Sequence, residues 1–192
     1  MTTFKVQGGH NLKGEIHPQG AKNEALQVLC AVLLTSEEIV MKNVPDIIDV
    51  NILINLLEDL NVEVKRIDTS TYSFKAVDVN IDYLSSEEYK KKSSRIRGSI
   101  MLIGPLLARY GRGFIPRPGG DKIGRRRVDT HFIGFESLGA KFVYDNKNEY
   151  YKVNANELKG TYMLLDEASV TGTANIIMTA VMAKGETIIY NA

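Results

Sequence analysis

Three stretches of the chain run through the same succession of features at nearly constant spacing, and this repetition restricts the fold more than any single motif does. Each opens with a small or polar stretch, continues as an apolar run of helical character, turns, and ends in a short strand. The first passes from Gln19-Gly20-Ala21-Lys22-Asn23 through Ala25–Leu34 and Thr35-Ser36-Glu37 to Ile39-Val40-Met41. The second has Ser93-Ser94-Arg95-Ile96-Arg97, then Ile100–Ala108, a turn at Tyr110-Gly111-Arg112-Gly113, and Phe114-Ile115. The third has Ala168-Ser169-Val170-Thr171-Gly172-Thr173, then Ile176–Ala183, Lys184-Gly185-Glu186, and Thr187-Ile188-Ile189-Tyr190. From Ile39 to Phe114 is 75 residues, and from Phe114 to Thr187 is 73. Units that stack, each burying one face against its neighbour, give an α/β repeat domain.

The first two units continue into a second helix and a pair of strands. In unit one Asp46 is placed to cap that helix after Pro45, and Leu53, Leu56, Leu57 and Leu60 follow the i, i+3, i+4, i+7 rule. In unit two Asp129 opens the helix, Val128, Phe132, Phe135 and Leu138 line one face, and Gly139 suits its C-terminal stop. Strands are expected at Val62–Lys65 and Tyr72–Lys75, and again at Lys141–Tyr144 and Tyr150–Val153 with a hairpin turn at Asp145-Asn146-Lys147-Asn148. The third unit stops at Tyr190-Asn191-Ala192, where its second helix should begin. That break predicts an N-terminal fragment of a longer protein, and no Gly/Ser or Pro linker divides residues 1–192.

Composition narrows the functional classes. With 44% hydrophobic residues, 5 Pro and 16 Gly, the chain of 192 residues is globular, not low-complexity. The single cysteine, Cys30, lies in an apolar run and reads as a small buried hydrophobe; it excludes a disulfide framework and a thiolate metal cage. No apolar stretch reaches the ~18–20 residues of a membrane span, and Met1-Thr2-Thr3-Phe4-Lys5 carries no signal-peptide pattern, so a soluble, cytoplasmic protein is expected. His10, His17 and His131 lack metal-ligand spacing, and His131, on a helix, reads as a surface or packing residue.

The net charge of +1 conceals a segregated field. Residues 90–127 hold 12 of the 24 basic residues against one acid, Asp121, which leaves −10 on the rest of the chain. Such a field attracts an anion. Its centre is Pro116-Arg117-Pro118-Gly119-Gly120-Asp121-Lys122-Ile123-Gly124-Arg125-Arg126-Arg127, a Pro- and Gly-broken loop leading into a helix whose N-terminus adds unpaired N–H groups. It is a near miss for a phosphate-binding P-loop, because Arg125-Arg126 follows Gly124 where Lys and then Ser or Thr should stand. A nucleic-acid-binding module is an alternative, although Tyr110 and Phe114 are the only aromatic faces near the loop. Lys22 stands at the start of an otherwise apolar helix, where a cation opposes the helix dipole unless ammonium and helix N-terminus together grip a phosphate or carboxylate. Arg97 holds a comparable place in the second unit.

Pro118-Gly119-Gly120-Asp121-Lys122-Ile123-Gly124-Arg125-Arg126-Arg127-Val128-Asp129-Thr130-His131 resembles the active-site loop of the UDP-N-acetylglucosamine 1-carboxyvinyltransferase family, the enolpyruvyl transferases of peptidoglycan synthesis. Gly20-Ala21-Lys22-Asn23-Glu24-Ala25-Leu26 is similar to the family's N-terminal motif, and Asp166–Thr173 to its third-unit loop. The resemblance covers the whole chain. It implies an inside-out α/β barrel domain of βαβαββ-type units, six in two domains in the family, with this chain truncated in its third unit and residues 1–20 packing with the second domain.

The implied reaction moves the enolpyruvyl group of phosphoenolpyruvate to the 3-hydroxyl of UDP-N-acetylglucosamine and releases phosphate, the first committed step of peptidoglycan biosynthesis, with no cofactor. By this resemblance Lys22, Asn23 and Arg126 hold phosphoenolpyruvate, with Lys22 and Arg126 also serving catalysis. Arg97, Arg126, Arg127, Val128, Asp129 and Thr130 contact the UDP-sugar, as do Ala168, Ser169 and Val170. Asp121 occupies a position commonly Cys in the family and is expected to be the proton donor to C3 of phosphoenolpyruvate. Since fosfomycin alkylates that Cys, resistance is expected. Arg127 and Thr130 replace the usual Pro and Leu, and Glu167 stands where Lys is often found. The family's general base is an Asp of the C-terminal half, lost here together with two arginines, so this fragment alone is expected to be inactive; that half of the same chain is its expected partner, with no nucleic acid or membrane. The same-class alternative is 5-enolpyruvylshikimate-3-phosphate synthase, whose N-terminal loop has a Ser-Lys-Ser pattern where this chain reads Gly20-Ala21-Lys22-Asn23.

Overall fold

The computed structural model describes residues 3–116, 128–145 and 150–192. Residues 3–19 carry no regular structure, and Phe4, Val6, Leu12 and Ile16 along them are exposed. Unit one then builds α1 (Lys22–Ala31), a 3-10 turn at Val32–Leu34, β1 (Glu38–Met41), α2 (Ile48–Asp59), β2 (Glu63–Arg66) and β3 (Tyr72–Lys75). A 3-10 turn at Ile81–Ser85 and α3 (Glu87–Ser93) lead to unit two. It comprises a 3-10 turn at Arg97–Leu102, α4 (Ile103–Tyr110), β4 (Arg112–Pro116), α5 (Asp129–Ser137), β5 (Lys141–Asp145) and β6 (Tyr150–Asn154). Unit three contributes β7 (Tyr162–Leu164), α6 (Val170–Ala180) and β8 (Ile188–Tyr190).

The repeat is a repeat of topology. Unit one forms a sheet of order β1-β3-β2 and unit two a sheet of order β4-β6-β5, both antiparallel throughout. Matching pairs hold matching places, with Ile39 opposite Phe74 in the first sheet and Phe114 opposite Lys152 in the second. Unit three departs from both. Its β7 precedes the helix and pairs parallel with β8, which requires α6 as the crossover. The expected βαβαββ order is therefore corrected: among the described residues the first two units have no leading strand, and only the third begins with one. The hairpin turn expected after Asp145 falls on residues 146–149, outside the described residues, although β5 and β6 pair on either side of it.

Local chemistry accounts for most boundaries. Leu53, Leu56, Leu57 and Leu60 are fully buried, as their spacing requires, and so are Leu29, Cys30 and Leu33 of unit one. Burial alone holds the Cys30 thiol protonated, with its pKa pushed well up. Gly111 at φ +67° ends α4 and Gly139 at φ +101° follows α5, conformations that favour a residue without Cβ. The cap expected at Asp46 is not formed. Ile47 donates its N–H to the Pro45 carbonyl at 3.1 Å, α2 starts at Ile48, and Asp46 Oδ1 instead accepts from Asn51 Nδ2 at 2.8 Å. Helix α3, which no apolar periodicity announces, is set by the Ser86 cap accepting from Tyr89 N at 3.0 Å and by acids Glu87 and Glu88 in its first turn.

The two units are tied by Arg109 at the end of α4. One guanidinium nitrogen, Nη1, donates to the carbonyls of Leu33, Thr35 and Ala76 at 3.1, 2.9 and 2.8 Å. Arg109→Leu should destabilise the chain by about 2 kcal/mol, since it strips a charged donor from three carbonyls. Urea unfolding with an unchanged midpoint would refute this. No helix of the described residues is long and apolar enough to cross a membrane.

Candidate active site

The candidate residues gather at the starts of helices. Lys22 is the first residue of α1, whose N-cap, Ala21, offers no side-chain acceptor, so the first-turn N–H groups are left to solvent or ligand. Its Nζ lies 3.0 Å from Asp49 Oδ2 in the first turn of α2. The ion pair joins the first turns of α1 and α2, and an anion arriving at the α1 terminus would compete with Asp49 for the ammonium. Gly20 lets the chain reach this point: an added Cβ would overlap the Asn43 carbonyl oxygen. Asn23, next along α1, is exposed.

Arg97 opens the 3-10 turn that leads into α4 and is half-buried. Gly98 packs against Leu26, a Cβ there standing 3.0 Å from Leu26 Cδ1, so the turn that Arg97 opens is seated against α1. In α5, Asp129 is the first helical residue, Val128 precedes it, and Thr130 is buried. Thr130 Oγ1 donates toward Asp166 Oδ1 at 3.0 Å and lies 3.4 Å from Glu167 Oε1. Two departures from the family pattern, Thr130 and Glu167, thus touch each other. Ser169 caps α6 by accepting from Gly172 N at 3.2 Å, and exposed Ala168 and Val170 flank it. Gly172 in turn faces Thr130, whose Cγ2 would stand 2.9 Å from an added Cβ.

Beneath these helix starts lies a buried polar knot. Asn175 of α6 accepts from Gly104 N at Oδ1, 2.9 Å, and donates from Nδ2 to the Ile100 carbonyl, 2.9 Å. The same Nδ2 lies 3.0 Å from His131 Nδ1, and Thr179 Oγ1 donates to the Asn175 carbonyl at 2.9 Å. An added Cβ on Gly104 would overlap Asn175 Oδ1 and stand 2.5 Å from its carbonyl oxygen, so only glycine allows α4 and α6 this close. His131 is 2% exposed, and burial first, then the Arg97 charge, push its pKa down to about 4. The spacing of the three histidines gives no hint of this. The available signals are Gly104 in an otherwise apolar run and Asn175 inside an apolar helix, each a residue that local propensity does not favour there.

The structure therefore brings Arg97, Asp129, Thr130, Ser169 and Val170 into one neighbourhood through α5 and α6, and seats Lys22 on the adjoining α1. Asp121, Arg126 and Arg127 lie outside the described residues. The basic field is partly spent on structure. Lys90 pairs with Glu87 at 2.6 Å, Lys92 with Asp59 at 2.7 Å and Glu88 at 2.9 Å, Arg112 with Asp82 at 3.7 Å, and Arg109 with backbone carbonyls. Among the described cations of residues 90–116, four are thus engaged, which weakens the case for a continuous nucleic-acid-binding face.

This arrangement of repeated α/β units is the fold of the enolpyruvyl transferases. The crystal structure of the enolpyruvyl transferase NikO from Streptomyces tendae superposes with a TM-score of 0.76 at 17% identity, over 95% of this chain and 42% of that one. An EPSP synthase from Acinetobacter baumannii superposes with a TM-score of 0.70 at 14% identity, over 92% of this chain and 40% of that one. The sequence model of EPSP synthase (3-phosphoshikimate 1-carboxyvinyltransferase) matches residues 6–192, and the chain belongs to that family. Within it, similar relatives include the UDP-N-acetylglucosamine 1-carboxyvinyltransferases of Bacteroides fragilis, Bacteroides thetaiotaomicron and Porphyromonas gingivalis, 61%, 59% and 56% identical over all 192 residues. The chain spans 44% of the length of these curated relatives.

Proposed function

We propose that the chain is the phosphoenolpyruvate-binding part of a UDP-N-acetylglucosamine 1-carboxyvinyltransferase. The observation that carries this is 61% identity over all 192 residues to a relative of that name. The family sequence model bears the name of the shikimate enzyme, but the Gly20-Ala21-Lys22-Asn23 start and these relatives favour the sugar nucleotide. The complete enzyme is an inside-out barrel of six units in two domains, and residues 1–192 supply the N-terminal domain's first two units and part of a third. Residues 1–20 pack with the second domain, a reading supported by the exposed Phe4, Val6, Leu12 and Ile16.

In this reading Lys22, Asn23 and Arg126 hold phosphoenolpyruvate at the α1 terminus. Arg97, Arg126, Arg127, Val128, Asp129, Thr130, Ala168, Ser169 and Val170 hold the UDP-sugar. Asp121 gives a proton to C3, the 3-hydroxyl oxygen bonds to C2, and its proton passes to a base in the C-terminal half. Breaking the C2–O bond then frees phosphate, and loss of a proton from C3 restores the double bond. Preorganised cations favour charge on the departing phosphate without solvent reorganisation. The product enters peptidoglycan synthesis, and the cytoplasm is where the enzyme works.

The test is phosphate release by the complete native polypeptide from phosphoenolpyruvate with UDP-N-acetylglucosamine, and separately with shikimate 3-phosphate. Release only with the sugar nucleotide is expected; release only with the shikimate acceptor would move the assignment to the sister enzyme. Fosfomycin supplies a further check. A carboxylate is a far weaker nucleophile than a thiolate toward an alkylating drug, so intact mass should show no adduct on the native enzyme. Asp121→Cys should acquire one equivalent, and an adduct at Asp121 itself would overturn the prediction.

A further inference from the structure

The tautomer of His131 follows from its neighbours. Gly104 N–H fixes Asn175 Oδ1, so Asn175 Nδ2, which has hydrogens and no lone pair to offer, must be the group facing both the Ile100 carbonyl and His131 Nδ1. Nδ1 therefore accepts, and the imidazole proton sits on Nε2. Three elements meet at this amide: α5 through His131, α6 through Asn175, and the segment that starts at Arg97 through Ile100 and Gly104. Each of the three carries sugar-nucleotide contacts assigned above, namely Asp129 and Thr130, Ser169 and Val170, and Arg97.

We propose that His131 is a positioning residue for the sugar nucleotide: its imidazole, accepting from Asn175, fixes the start of α5 and the Arg97 turn against α6, so that the three sets of contacts share one geometry. The proposal deepens the reading of the site given above and rests on it. An apolar side chain at 131 leaves an Asn175 N–H unpaired in the interior and frees the amide to turn away from Gly104 and Ile100. Small displacements of positioned groups are costly, about a hundredfold for 1 Å in unfavourable cases. Phosphoenolpyruvate takes two of its three assigned contacts, Lys22 and Asn23, from α1, outside the clamp, and only Arg126 from the segment leading into α5.

The test is steady-state kinetics of the complete native polypeptide carrying His131→Leu or His131→Asn, with 15N chemical shifts of the native imidazole. His131→Leu should raise KM for UDP-N-acetylglucosamine about tenfold or more, and raise KM for phosphoenolpyruvate no more than about threefold, because Lys22 and Asn23 stand on α1. His131→Asn offers an amide oxygen where Nδ1 stands and should bring the sugar-nucleotide KM back to within about threefold of native. A general loss of structure would shift both KM values or lower only the active fraction. The proposal falls if His131→Leu leaves the sugar-nucleotide KM unchanged, if both KM values rise together, or if the shifts place the proton on Nδ1. Should the leucine variant fail to fold, the asparagine variant and the shifts still decide it. A native enzyme that turns over phosphoenolpyruvate only with another acceptor sinks the substrate reading first, and is told apart by the native control alone.

Discussion

Asp121→Asn in the complete native polypeptide is expected to lower kcat about a thousandfold while affinity for UDP-N-acetylglucosamine stays within about threefold, in line with the usual worth of a positioned general acid. The asparagine keeps the size and one hydrogen-bonding oxygen of the aspartate but has no proton to give to C3. The interactions that bind the two polyanions come from Lys22, Asn23, Arg97 and the arginines after Gly124, none of which the change removes. Asp121→Cys supplies a transferable proton again and should recover most of the loss. Phosphate release at saturating substrates and calorimetric titration with the sugar nucleotide separate the two quantities. If the asparagine variant keeps more than a tenth of native kcat, the proton comes from elsewhere. If affinity and kcat fall together, Asp121 serves binding and its role as acid is lost.

How much of this was legible without coordinates differs from element to element. The spacing of Ile39, Phe114 and Thr187 marked a repeated α/β unit, and the first two units share one sheet order while the third, with β7 and β8 parallel, departs from it. The Leu53–Leu60 face was legible from its spacing too. The start of α2 was not, since Asp46 can cap a helix or hold Asn51, and only the turn at Pro45 decides between them. Strand β7 was hidden because Tyr162, Met163 and Leu164 are all apolar, so the alternation of exposed, buried and exposed does not show in the residue types. At the site, the resemblance supplied Lys22, Arg97 and Thr130, but not the contact of Lys22 with Asp49 or of Thr130 with Asp166. Those pairs join residues 27 and 36 positions apart, and nothing in local sequence couples them. The His131–Asn175 pair, 44 positions apart, was equally out of reach.

That pair also contributes to the pH dependence of stability. His131 is held neutral, with a folded pKa of about 4 against an ordinary value of 6.5, by burial and by the Arg97 charge. Above pH 6.5 neither folded nor unfolded chains carry the proton, and the full contribution is present. As pH falls from 6.5 toward 4, the unfolded chain binds a proton that the folded chain refuses, so stability drops. The loss from this one group totals about 3 kcal/mol and is complete below the folded value. Carboxylates add losses of their own in the same range, so the wild-type curve alone cannot assign the effect. Comparison with His131→Asn can, because the variant keeps the acceptor for Asn175 but has no titrating ring. Urea unfolding of both chains at pH 7 and pH 4.5 should show wild type losing about 2 kcal/mol more than the variant over that interval. Equal losses would mean that the imidazole is protonated in the folded chain. The clamp at Asn175 would then be open at the acidic end, and the burial of His131 would have another explanation.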